Sequence, residues 1–198
     1  MNRYILISGI IGPVITLLLI FTDISLSGYF SWHINSLSSL GIHGYYYLFD
    51  SAVMFGGIMN VIFVASLYKI YPIKFLSVGL IIIGSICLFF VGIFNENYGM
   101  AHLIFASMYF IILPLGIIIF SLFRINRYIN VYGYIIGILS LIIIISSILI
   151  NFHYINTKIG LSIPETIETL LTGSWSVMVG GYTIRNYDRL ILNSQFFI

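Results

Sequence analysis

The sequence predicts an all-α bundle of six transmembrane helices with both termini cytoplasmic, on three observations. Of the 198 residues, 60% are hydrophobic and only 7% charged, whereas soluble domains carry about 25% charged residues. Six apolar runs approach the roughly 20 residues that a helix needs to cross a hydrocarbon core. Positive charge gathers in alternate connections, at Arg3, Lys69, Lys74, Arg124, Arg127, Arg185 and Arg189, with Lys158 alone on the other side. Cytoplasmic loops retain Lys and Arg, so that side is expected to face the cytosol. The chain, residues 1–198, is expected to form one integral membrane domain, most naturally in a plasma membrane.

The first run, residues 4–21, follows Arg3. It exceeds the apolar core of a secretory signal and precedes no small-residue cleavage pattern, so a retained helix is expected. Residues 22–46 then form a long outer loop rich in Tyr, Phe, Ser, Asn and Gly, with Trp32. Aromatic rings favour the membrane interface, so this segment is expected to lie along it, as a binding element or as a lid over helix ends.

Helix two is expected over residues 47–67. Asp50 sits in its first turn, where the positive helix end favours an acid, and Asn60 sits near its centre. A strongly polar side chain at that depth is expected to face another helix and hydrogen-bond to it. Lys69 and Lys74 lead into helix three, residues 73–94, where Cys87 packs as a small hydrophobe without a disulfide partner. Asn95, Glu96 and Asn97 turn the chain into helix four, residues 100–123, with His102 one turn inside.

Helix five is expected over residues 131–151, and its Gly133-x-x-x-Gly137 spacing lets backbones approach closely, within the bundle rather than between copies. Helix six, residues 165–184, follows Ser162-Ile163-Pro164-Glu165, which fits a capping box with Pro in the first turn. Glu165 thus has a structural task, and Glu168, one turn deeper, is the stronger site candidate. Pro13 and Pro114 are expected to kink helices one and four. Residues 185–198 are expected to form a cytoplasmic tail, whose apolar part after Arg189, residues 190–198, rests at the cytoplasmic interface or against a partner.

The reactive residue types therefore gather on the outer face. Asp50, Glu96, His102 and Glu168 are the catalytic candidates, and His43, His102 and His153 the metal-ligand candidates, since imidazole and carboxylate together can hold zinc. No H-E-x-x-H, C-x-x-C or nucleophile-elbow pattern accompanies them, and no cofactor is indicated. A net charge of +2, dispersed along the chain, argues against nucleic acid as a partner.

Ser39-Leu40-Gly41, Gly92-Ile93-Phe94 with Glu96, His102 and Pro164-Glu165 resemble motifs of the multi-pass membrane family called domain of unknown function 998. The likeness spans most of the chain. Asn95 stands where that family often has Pro. The resemblance implies a six-helix integral membrane protein and carries over no reaction.

Three functions fit these readings: binding of membrane lipid or of a partner membrane protein or second copy, favoured slightly; an intramembrane hydrolase or lipid-modifying enzyme; and a carrier of a neutral solute or lipid. An ion or proton pump is disfavoured because the helices hold almost no deep ionisable residue.

Overall fold

The computed structural model describes residues 3–71, 75–123, 125–149 and 160–194. Lys74, Arg124, His153, Lys158 and tail residues 195–198 lie outside the described residues, as do the side chains of residues 191–194. Helices α1 (Ser8–Leu26), α2 (Tyr46–Tyr68), α3 (Phe75–Ile93), α4 (Met100–Ser121), α5 (Arg127–Leu149) and α6 (Ser162–Arg185) are followed by a short α7 (Tyr187–Ser194). No strand occurs among the described residues.

Five of these helices, α1 to α5, are long and apolar enough to cross a membrane. The sixth expected segment is also a helix, but it is more polar, because Glu165, Thr166, Glu168, Thr169 and Thr172 crowd its first half. Its length is ample. Its 24 residues rise about 36 Å at ~1.5 Å each. At one end the Ser162 hydroxyl donates to Trp32 O in the outer loop (2.9 Å). At the other, Thr183 meets the Tyr71 hydroxyl beyond α2 (3.0 Å).

Each helix packs on the next, and α6 returns to α1, so the six long helices close a ring. In lipid the apolar solvent gives helices little reason to associate, and close backbone approach supplies the attraction instead. Glycine makes that approach possible. A Cβ on Gly57 would lie 2.6 Å from Ser85 O, and one on Gly84 only 2.9 Å from the Leu113 side chain. Gly133 and Gly137 seat α5 on Ser121 and Ile118 of α4 and on Trp175 of α6, as the expected packing within the bundle requires. Pro13 and Pro114 lie inside continuous helices.

The alternating ring has a basic and an acidic end. Arg3, Lys69, Arg127, Arg185 and Arg189 flank helix termini at the end where Leu6, Tyr71 and Thr183 meet. Burial pushes the Tyr71 phenol up to about 12, so it stays protonated there. Asp23, Asp50, Glu96, Glu165 and Glu168 collect at the other end, and Asp188 of α7 is the exception. The largest apolar cluster, with Phe63, Phe120, Trp175 and Val179, fills the ring towards the basic end. A smaller one, with Ile20, Leu40, Phe49 and Val91, sits beneath the outer loop.

Candidate functional site

The connection between α1 and α2, residues 27–45, folds over the acidic end as a lid. A short 3-10 turn, Ser38–Ile42, is buried at its middle. The segment leading into it is tied to the start of α6: Gly160 N–H donates to His33 O (2.7 Å) and Ser162 N–H to Asn35 O (3.1 Å). Only glycine fits at 160, since a Cβ there would lie 2.6 Å from Asn35 O.

The expected capping box does not form. Leu161 precedes α6 with no side-chain cap. Both members of the motif turn outward to the lid instead: Ser162 Oγ donates to Trp32 O, and Leu37 N–H donates to Glu165 Oε2 (2.6 Å). The reason is competition. Lid amides and carbonyls are buried against this helix end and need partners, and these side chains provide them.

Glu96 anchors the lid from the other side, accepting from the Ser36 hydroxyl and from the Ser38 hydroxyl (2.6 Å). Asn95 Nδ2 donates to Asp50 Oδ2 (3.3 Å). Two glycines accommodate Asp50: a Cβ on Gly41 would lie 2.5 Å from Asp50 Oδ1, and one on Gly92 would lie 2.5 Å from Asp50 O. Asp23, in the last turn of α1, is completely buried. It faces the Phe49 amide in the first turn of α2, with neither oxygen in full hydrogen-bond geometry. The positive end of α2 thus lies beside it.

Inside the lid a cavity of about 50 Å3 is bounded by Ser38, Phe49, His102, Tyr109, Glu165 and Thr169, among others. A second of similar size continues towards the middle of the ring, sharing Thr16, Leu88, Tyr109 and Thr169 as walls and reaching Asn60, Trp175 and Ser176. Asn60 closes it as expected of a polar residue at that depth. Its Nδ2 donates to Ser85 Oγ (2.7 Å), and its Oδ1 accepts from Ser176 Oγ (3.3 Å), tying α2, α3 and α6 together.

The outer cavity also abuts a groove of about 400 Å3 on the flank of the ring, between α4, α5 and the start of α6. Ala106, Phe110 and Glu165 belong to both spaces. The groove's other walls include Leu103, Ile111 and Ile148, apolar residues exposed on the outside of the bundle, with the buried Ile144 at its floor.

Glu168 is completely buried. It lies beside the Tyr109 phenol and feels the charge of Glu165, yet neither carboxylate oxygen has a partner in full hydrogen-bond geometry. Among the described residues, no Lys or Arg forms an ion pair with Asp23, Asp50, Glu165 or Glu168.

The histidines serve other partners. His102 Nδ1 bonds to Phe94 O (2.8 Å), beside the stacked rings of Phe94 and Phe105. His43 Nδ1 bonds to Ser39 O (3.2 Å) while its ring packs on Tyr29 at 4.8 Å. Among the described residues, no group of three His, Cys, Asp or Glu could hold a metal ion; His153 lies outside them. Of the catalytic candidates, Asp50 and Glu96 meet through the turn at Asn95, His102 lines the cavity, and Glu168 lies behind Tyr109.

The sequence motifs at this lid and cavity match a family model described as protein of unknown function, DUF998, over residues 10–182. The chain belongs to the DUF998 family. No curated protein and no solved structure matches it. The match starts inside α1 and stops near the end of α6. DUF998 membership thus covers the whole ring, the lid and every carboxylate at the acidic end.

Proposed function

We propose that this DUF998 protein binds a lipid-like amphiphile, taken sideways from the bilayer, without transforming it. The groove between α4 and α5 receives the hydrocarbon chain, and the small outer cavity receives the head group. The observation that carries this reading is the shared wall of Ala106, Phe110 and Glu165, which sets an apolar flank groove against a small, mainly apolar cavity carrying Ser38, His102, Tyr109 and Glu165 on its walls. Binding sites of this kind combine a mostly apolar lining with a few convergent polar groups.

In this reading α6 completes a sixth span. Its polar face is buried in the ring, as intramembrane polar residues require, and its two ends lie at opposite ends of the bundle. The basic end then faces the cytosol with both termini, and the ligand enters from the outer leaflet. Cysteine labelling from the two sides of the membrane tests the orientation: His33 should label from outside and Arg127 from the cytosol, and the same side for both would overturn it.

Lipid extraction from the purified protein, followed by mass spectrometry, tests the binding. A co-purifying amphiphile is expected at about one per chain, and it should be lost on filling the groove by Ser107→Trp or Ser147→Trp. A wild-type preparation free of amphiphile, or one whose lipid content ignores both substitutions, would overturn the reading.

A further inference from the structure

We propose that the basic end of the ring carries a separate lipid site, in which Arg127 holds the phosphate of a two-chain anionic phospholipid whose chains straddle α5. This site lies at the opposite end of α5 from the flank groove and does not depend on it. Its geometry comes from two clefts. One, of about 530 Å3, runs between the end of α4 and α5, along Arg127, Asn130, Val131 and Tyr134. The other, of about 590 Å3, runs between α5 and Met178 of α6, along Tyr128, Val131, Tyr132 and Ile135. Arg127 and Val131 belong to both.

Residues three and four apart share a helix face, so each set follows one side of α5 for about two turns, roughly 10 Å of helix. Both clefts change character along that length. Asn126, Arg127 and Tyr128 stand at the end of the helix, while Val131 and Ile135, both exposed, lie further along it. A lipid has the same gradient, polar at its head and hydrocarbon below. One guanidinium flanked by two furrows fits one head group with two chains, whereas a single-chain amphiphile would fill only one furrow.

Charge selects the head group. Arg127 is exposed, and no carboxylate among the described residues pairs with it. Of the six acidic side chains in the sequence, only Asp188 lies at this end, whereas Arg3, Lys69, Arg185 and Arg189 join Arg127 there. The connections that hold Lys74 and Arg124 bring further positive charge and no acid. Neighbouring amides are already engaged: Asn126 Oδ1 accepts from Tyr128 N–H (2.9 Å), and Asn130 Nδ2 donates to Phe123 O. That leaves Arg127 as the charged donor between the clefts. A guanidinium matches phosphate oxygens with two parallel hydrogen bonds, and basic residues beside a membrane span favour anionic over zwitterionic lipid.

Thermal-melt titrations of the full chain in maltoside micelles test the assignment with four probes: phosphatidylglycerol, phosphatidylcholine with the same acyl chains, single-chain lysophosphatidylglycerol, and inorganic phosphate. The rise in midpoint gives an apparent Kd for each. Phosphatidylglycerol is expected to bind about fivefold more tightly than phosphatidylcholine, the weight of one basic side chain beside an anionic lipid. The lyso form should bind more weakly than its two-chain parent, and phosphate alone should leave the midpoint unmoved. Arg127→Gln should erase the preference for phosphatidylglycerol, and Arg127→Lys should keep part of it. Equal binding of the two-chain lipids to the wild type, or a preference that survives Arg127→Gln, would overturn the proposal. A lyso form as tight as its parent would overturn the two-chain geometry, and stabilisation by phosphate alone would overturn the lipid in favour of a free anion.

Discussion

The two halves of α6 face the same ring interior and do opposite things there. Towards the basic end, Trp175 meets Phe63 and Phe120 edge-on at 6.4 and 5.2 Å, Val179 is completely buried, and Gly180 lies 3.5 Å, by its added Cβ, from Leu6 O. Towards the acidic end, Glu165 and Thr169 border a small cavity, and Glu168 is buried behind Tyr109 with neither oxygen in full hydrogen-bond geometry. Apolar packing in one half supplies stability that lets the other half bury two carboxyl groups. Binding sites commonly carry such strain while the scaffold around them stays rigid.

The comparison can be broken by substitutions along the helix. Trp175→Ala should have the largest effect, a loss of about 3–5 kcal/mol from the cavity it leaves, seen as a large fall in the thermal midpoint in detergent. A small fall would mean that the basic half is not the stabilising one. Glu165→Ala should cost about 2 kcal/mol, since it leaves the Leu37 amide of the lid without its charged acceptor. Limited proteolysis within residues 27–45 should accelerate with it, and an unchanged cleavage rate would show that the lid is held elsewhere.

Glu168→Gln should act in the opposite direction, raising the stability of the protein by about 1 kcal/mol at alkaline pH, where the buried carboxyl would otherwise ionise in an apolar interior. A fall in its midpoint would make Glu168 a structural group like its neighbours. The smallest effect belongs to Thr183→Val, about 0.6 kcal/mol for one interhelical hydrogen bond in a membrane protein. An effect several times larger would place the hydrogen bond to Tyr71 among the main supports of the basic end.

The helices themselves were legible because hydrophobic runs of bilayer length leave little choice of structure. Asn60 was legible for the same reason: a carboxamide at mid-bilayer depth needs a partner helix, and it has two. The ring closure was not. Nothing local in α1 or α6 records that the two become neighbours.

The Ser162 to Glu165 spacing misled because a capping box is a local pattern, whereas the lid residues that capture both side chains lie about 130 positions away. The apolar run of the first helix ends at residue 21, which leaves Asp23 in the expected loop. Its apolar neighbours Ile20 and Ile24 allow the helix to continue to Leu26 and bury it, and one isolated acid after an apolar run gives no period to detect that. Tyr109 was overlooked among the many aromatic residues of α4, and only the placement of Glu168 beside it distinguishes it.

The contact between α1 and α6 has a consequence for biogenesis. The first helix enters the bilayer long before its final neighbour is translated, so its inward flank, with Thr16 and Asp23, must wait beside lipid or a temporary companion until the sixth emerges. Closure of the ring therefore waits for α6, and a chain halted before residue 162 would hold only α1 to α5, with the inward flank of α1 still uncovered.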